Sequence, residues 1–358
     1  MAGEAAAVSV VIPCYRCAGT IERAVRSVAA QTRRPVELIL VDDGSPDETG
    51  AALERLRERY GAGWIRVIRL PQNLGSASAR NAGWEAATQP CLAFLDSDDA
   101  WHPRKIEIQL AWMEAHPDVV VSGHGAVQIG AESEMQSEPG SGKAQPISRR
   151  GLLASNPFIT PSVMLRTRIA ARFEPGKRHM EDYLLWLEIA SGGGRIARLP
   201  QVLAYTFKAP FGEAGLSAQA WNMERGELSV FATLWRKNLI GAGMVALLSV
   251  FSLLKFLRRM LMLATGYSPG GIAAKPKLLY AGAYLLLTQS MTALLVCAGL
   301  SGRSELAAEI GIAQAATLAT FFAFSGNARN LILSERTEIS ARSILAARLA
   351  LLLPLGAA

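Results

Sequence analysis

The sequence predicts an α/β domain built on a mostly parallel central sheet, followed by an α-helical, membrane-associated region. Three observations carry this expectation. β-Branched apolar runs alternate with segments of helical spacing over roughly the first hundred residues, the pattern of a sheet covered by helices on both faces. Acidic clusters close two of those runs, and ligands of such sheets collect at the carboxyl ends of the strands. Charge, finally, is divided unevenly along the 358 residues. From Phe231 onward there are twelve Lys/Arg and four acids, a net +8 that leaves residues 1–230 at −1 within a total of +7.

In order, Val8 to Ile12 is a short β-branched run ended by Pro13. Thr20 to Ala30 follows with helical spacing through Ile21, Ala24, Val25 and Val28, and Thr20 suits an N-cap. Val36 to Val41 is a second buried strand, Asp47 to Tyr60 a charge-laced helix, Trp64 to Leu70 extended, Ser76 to Ala87 helical and Cys91 to Leu95 extended. The stretch from Gly123 to Arg150, rich in Gly, Ser, Glu and Gln, reads as a flexible loop.

Beyond Phe231 the pattern changes. Leu239 to Leu254 is uncharged, and Ser249, Ser252, Lys255 and Arg259 recur at helical spacing with Val250, Phe251, Leu254, Leu257 and Leu261 elsewhere around the helix, which favours a helix lying along a membrane surface. Leu278 to Leu300 runs for 23 residues without a charge, about 34 Å as a helix and long enough to span. Ile310 to Asn327 would return the chain, with 301–309 between the two spans; 344–358 is apolar apart from Arg348 and is left unassigned. Keeping 255–277, with five basic residues and no acids, on the cytoplasmic side satisfies the positive-inside tendency. The expected organisation is a catalytic domain over 1–230, an interfacial segment over 231–277 and a transmembrane helical region over 278–358.

Composition excludes several classes. The basic residues flank apolar runs, an arrangement that suits anionic lipid rather than nucleic acid. Four cysteines make no disulfide framework. Cys14 and Cys17 have CxxC spacing but follow a strand and a proline, and Cys91 and Cys297 stand apart, so neither a redox motif nor a zinc site is expected. No basic n-region opens the chain, so no signal peptide is expected. A Walker A sequence is absent, and Ser191 to Arg195 lacks the context of a dinucleotide fingerprint.

The chemistry-bearing residues gather at strand ends. Asp42 and Asp43 close the second strand, and Asp96, Asp98 and Asp99 follow Leu92 to Leu95. Adjacent acids repel unless a cation or hydrogen bonds offset them, so Asp96-Ser97-Asp98 is either a hard-cation site for Mg²⁺ or Mn²⁺ or an acidic turn. Arg80, near the start of a helix, could meet a base, a phosphate or a neighbouring carboxylate. Met180 to Ile189 has the spacing of an amphipathic helix with acids at its N-terminus.

Five segments together resemble the inverting family 2 glycosyltransferases of GT-A fold: Val8 to Tyr15, Val41 to Thr49, Asn73 to Gly83, Phe94 to Trp101 and Met180 to Trp186. The resemblance covers roughly 8–210 and implies a role for each matching position. Pro13 and Tyr15 would shape a nucleotide pocket, Asp43 and Arg80 would contact the base, and Asp42 would support them. Asp96 would lie by the ribose, and Asp98 would hold Mg²⁺ or Mn²⁺ on the diphosphate. Asp182 would be the general base that deprotonates the acceptor. Arg16 stands where the family commonly has Asn.

The resemblance further implies a nucleoside-diphosphate sugar donor, by default a UDP-sugar, and an acceptor that is lipid-linked or a glycolipid. The catalytic domain would face the cytoplasm at the inner membrane, and single-sugar transfer in surface polysaccharide or glycolipid synthesis is favoured, because no Gln-x-x-Arg-Trp sequence is present. Transfer directly to a polyprenyl phosphate, or a non-catalytic assembly subunit with a retained sugar-nucleotide pocket, are the alternative readings.

Overall fold

The structure, a computed structural model, describes residues 5–132, 135, 139–207 and 216–264. It opens with β1 (Ala6–Cys14), α1 (Ile21–Ala29), β2 (Pro35–Asp42), α2 (Thr49–Tyr60), β3 (Ile65–Arg69), α3 (Ser76–Ala86) and β4 (Cys91–Phe94). Each of these matches an expected element to within one or two residues at most ends. β1 pairs in parallel with both β2 and β4, and β2 with β3, so the carboxyl ends of β1, β2 and β4 open on one edge.

The near-continuous apolar runs follow from burial on both faces. Along β1 and β2, Val11, Ile39 and Val41 enter one core with Trp84, Phe94 and Trp186, while Val10, Ile12, Leu38 and Leu40 enter the other with Val25, Val28 and Leu53. A strand with two dry faces has no polar position to alternate with. Ser9, buried between them, is satisfied by donating to Glu37 Oε1 at 2.6 Å.

The second half departs from expectation. β5 (Ala100–Trp101), α4 (Lys105–Ala115), β6 (Val119–Gln128), β7 (Gln145–Ile147), α5 (Arg149–Ala154), a 3-10 turn (Thr160–Ser162), β8 (Met164–Arg166), α6 (Glu181–Ser191) and β9 (Arg195–Thr206) complete the sheet. β6 and β9 are parallel, but β4–β8, β6–β8, β5–β9 and β7–β9 are antiparallel. The sheet is therefore mixed, with the order β3-β2-β1-β4-β8-β6-β9-β5, although β1, β2, β3, β4, β6 and β9 share one direction. β8 is reached from β6 through β7, α5 and the 3-10 turn, and it enters the sheet reversed between β4 and β6. Part of the expected loop is also strand, because β6 continues through Gln128 on β9.

α7 (Leu216–Arg236) and α8 (Ala242–Ala264) follow. Val230, Phe231, Leu234, Ile240 and Leu248 join the core that contains Trp186. Among the described residues no helix is long and apolar enough to cross a membrane. The expected spans at 278–300 and 310–327, and the segment 344–358, lie outside the described residues.

Candidate active site

Three loops and two helix starts meet at the carboxyl edge. The loop after β2 turns through Gly44, whose φ of +63° and approach to Gln72, 2.5 Å from where a Cβ would sit, admit no side chain. Asp42 is buried, and its Oδ1 accepts from Ser45 N at 3.0 Å, which closes this turn. Asp43 is buried as well and accepts from Leu74 N and Gly75 N, both at 2.8 Å, one on each oxygen. Asp43 thus holds the entry to α3, and each of its oxygens keeps a lone pair.

α3 carries Arg80 inward. The buried guanidinium donates from Nη2 to Asp96 Oδ1 at 2.8 Å and from Nη1 to Glu181 Oε1 at 3.0 Å, and Ser76 Oγ donates to the same Glu181 oxygen at 2.8 Å. Burial works against this charge, but Asp96 and Glu181 outweigh it and hold Arg80 above its ordinary value. One cation therefore ties the loop after β4 to the first turn of α6.

Asp182 lies in that turn, after Met180, whose φ of 58° is left-handed. Its Oδ1 accepts from its neighbour Tyr183 N at 2.7 Å; Oδ2 is loosely held by Asn156 Nδ2 at 3.4 Å and Thr160 Oγ1 at 3.5 Å. Burial, helped by the negative charge of Glu181, raises the Asp182 carboxyl from 3.8 to about 6. Thr160 is fixed from outside the site, since the next residue's carbonyl, on Pro161, accepts from the Trp101 indole at 2.8 Å. The acidic loop and the turn facing Asp182 are thereby one unit.

The remaining predicted residues are spread. Pro13 is buried within β1 opposite Val41, whereas Tyr15 is 41% exposed, with the Arg16 guanidinium 5.4 Å from its ring centre. Asp98 is partly exposed, on a loop anchored by Arg23 Nη2 donating to the Asp98 carbonyl at 2.6 Å. Among the described residues no group of three or more His, Cys, Asp or Glu could hold a metal ion alone. The carboxylate chemistry of Asp98 fits a hard divalent cation that takes its other ligands from water and a phosphate-bearing substrate.

Glu181, Asn156 and Thr160 were not singled out by the sequence. Glu181 was within reach, being an acid beside Asp182, but Asn156 sits in irregular chain and Thr160 in a single 3-10 turn, neither with a periodic signal. Cys14 and Cys17 are both buried, and Cys14 Sγ donates to the Ile12 carbonyl at 3.4 Å; burial pushes Cys14 up, and the neighbouring Cys14 draws Cys17 down. α1 begins only at Ile21, so no helix start activates either thiol.

The sequence profile described as "Glycosyl transferase family 2" matches residues 9–172. The amylovoran biosynthesis glycosyltransferase AmsE of Erwinia amylovora is 31% identical over 220 residues, which cover 59% of this chain and 78% of that protein. The UDP-Glc:alpha-D-GlcNAc-diphosphoundecaprenol beta-1,3-glucosyltransferase WfaP of Escherichia coli is 30% identical over 189 residues, or 52% and 71% of the two chains. In fold, the chain is similar to the mannosyltransferase PcManGT from Pyrobaculum calidifontis, solved in complex with GDP-Man and Mn²⁺. The TM-score is 0.53 at 18% identity, over 88% of this chain and 87% of that one.

Proposed function

The chain belongs to glycosyl transferase family 2, a family of sugar-transferring enzymes, and from that premise we propose that it moves one sugar from a nucleoside diphosphate to a lipid-linked saccharide, with inversion, in surface polysaccharide or glycolipid synthesis. The observation that carries this reading is Asp182. A carboxylate raised to about 6 is ionised near neutral pH yet basic enough to take a hydroxyl proton.

The chain's own residues supply the rest of the step. Asp182 Oδ2 accepts the acceptor's proton as its oxygen attacks the anomeric carbon, and the nucleoside diphosphate leaves from the opposite face. Arg80, locked between Asp96 and Glu181, places a fixed positive charge between the donor end and the base. Asp42 and Asp43 shape the base-binding loops, with Pro13 and Tyr15 beside them, and Asp96 faces the ribose. Mg²⁺ or Mn²⁺ held by Asp98 would neutralise the charge that builds on the departing diphosphate. A UDP-sugar is the donor favoured by analogy with WfaP. Residues 1–230 carry the chemistry in this reading, with 231–277 and 278–358 attaching the chain to the cytoplasmic face of the inner membrane.

The test is nucleoside diphosphate release by the full chain in detergent, with a panel of nucleotide sugars and polyprenyl-diphosphate-linked saccharides, for native protein, Asp98→Ala and Asp182→Asn. Acceptor-dependent release lost in both variants supports the proposal, and the anomeric configuration of the product tests inversion. Full release in Asp182→Asn would sink the general-base role.

A further inference from the structure

A second cluster of charge joins the segment just before Asp182 to α7. Lys177, Arg178 and His179 from the loop before α6, with Asn222, Arg225, Gly226 and Ser229 from α7, line a cavity of about 260 Å³. None of these lining residues is acidic. The loop is held tightly to the helix: a Cβ on Gly226 would sit 3.0 Å from His179 Cβ and 3.1 Å from Met180 Cγ. Asn222, Arg225, Gly226 and Ser229 recur at three- and four-residue spacing, so one face of α7 forms a wall. Lys177 donates from Nζ to the neutral Ser229 hydroxyl, and burial lowers its ammonium from the ordinary value. Glu181 and Glu174 favour the charge on Lys177, and cations gathered in one lining repel one another less when a further anion joins them.

The surroundings narrow the anion. Trp221, adjoining Asn222 on α7, is 44% exposed and packs its ring 5.5 Å from that of Phe256 on α8. Beyond it the outward faces of these helices expose Trp235, Phe251, Leu253 and Leu257. A basic cavity opening beside an apolar face matches a phosphate carried on a hydrocarbon chain.

We propose that this cavity binds the phosphate groups of a membrane-anchored acceptor and presents the sugar attached to them to Asp182; the inference rests on the transferase reading above. His179 stands three residues before Asp182, a reach of at most about 11 Å of chain. That leaves room for one sugar between phosphate and base, so the acceptor class is a short saccharide joined directly to a polyprenyl diphosphate, not the tip of a long oligosaccharide.

The experiment measures binding of the full chain to phosphatidylcholine vesicles doped with undecaprenyl diphosphate, to vesicles doped instead with phosphatidylglycerol at equal charge, and to inorganic pyrophosphate in solution. Native protein, Arg225→Ala, Lys177→Ala and the conservative Arg225→Lys are compared, with UDP binding as the check that each remains folded. Preference for undecaprenyl diphosphate, weakened about tenfold or more by each alanine variant, partly restored by Arg225→Lys and with UDP binding intact, is the expected result. Alanine variants that bind like native protein would overturn it. So would an equal loss on phosphatidylglycerol, which would mark a general headgroup contact; pyrophosphate binding as tight as that of the vesicles, which would mark a soluble ligand; or a parallel loss of UDP, which would assign the cavity to the donor. A native chain without any preference for undecaprenyl diphosphate removes both this inference and the lipid-linked acceptor, whereas the general-base role stands or falls separately on Asp182→Asn.

Discussion

The α/β part and the α7–α8 pair distribute their polar and apolar side chains differently. In the first, apolar side chains face two dry cores and the acids line an edge. In the second, the inward side is mixed: Val230, Phe231, Leu234 and Leu248 join the core, Glu224, Glu227, Thr233 and Ser252 are buried beside them, and Lys255 of α8 donates to Glu227 Oε1 of α7 at 2.6 Å. The apolar residues Val250, Phe251, Leu253 and Leu257 turn outward, Leu257 being 54% exposed. Large apolar side chains left outward on a helix gain nothing in water. The difference teaches that Ser252 and Lys255 lie on the side of α8 packed on protein, and that Val250, Phe251, Leu253 and Leu257 form an exposed apolar face on the other.

If chemistry belongs to the first region and attachment to the second, the two should fail separately. The largest effect falls on Asp182→Asn, expected to lower kcat by about 10²–10⁴ while leaving vesicle binding unchanged. Native kcat/KM should rise with pH through about 6 as Asp182 loses its proton, a limb absent from the variant. Stability moves the other way. The folded carboxyl binds its proton more tightly than an unfolded one near 3.8, so native stability falls as pH rises from about 4 to 6. At pH 8 the Asn variant should be more stable than native by roughly 1–3 kcal/mol, read as a higher Tm. A less stable variant would show that burial does not strain this carboxylate.

A second measurement addresses attachment. Each large apolar side chain moved from water into lipid gains about 1.5–3 kcal/mol when fully buried. Full-length protein in vesicles with lipid brominated near the headgroup should therefore show quenching of Trp221 and Trp235, 44% and 51% exposed, but not of the buried Trp84 and Trp186. Variants that keep one tryptophan at a time resolve them. Equal, weak quenching at all four would mean that the outward face meets protein rather than lipid.

The same distribution explains what was legible beforehand. β1, β2 and β4 announced themselves because double burial left nearly uninterrupted apolar runs, whereas β3, at the edge, mixes Arg66 and Arg69 with Ile65, Val67 and Ile68. β5, β7 and β8 have two or three residues each, too few to display a period, and the direction of β8 follows from its connection, which residue spacing does not encode. In the site, Asp42, Asp43, Arg80, Asp96 and Asp182 were visible as charges at strand ends and a helix start. Their linkage through Glu181 was not, because it needs residues 76, 80, 96 and 181 in one place. For α8, spacing separated the polar stripe from the apolar one but could not say which stripe faced the protein.

A smaller effect is expected at the contact between α7 and α8. Lys255→Met leaves the mostly buried Glu227 without its cation, at a cost of about 1–2 kcal/mol. Adding Glu227→Gln should recover part of the loss in a double-mutant cycle. Additive losses would mean that the pair does not hold the helices together, and the inward polar stripe would then need another explanation.

The smallest effect separates conformation from contact within the catalytic half. Arg16 adopts a φ of 49°, a left-handed conformation that costs most side chains free energy and that Asn tolerates better. This supplies a physical reason for the Asn that the family commonly carries at this place. Arg16→Asn should relieve the backbone and raise stability by a few tenths to about 1 kcal/mol, visible as a slightly higher Tm. It also removes the guanidinium lying over Tyr15. Should the variant gain stability but weaken donor binding, the strain at Arg16 is retained for the sake of that cation in the pocket. Gain of stability with unchanged binding would make Arg16 a tolerated departure from the family, without a role in the reaction.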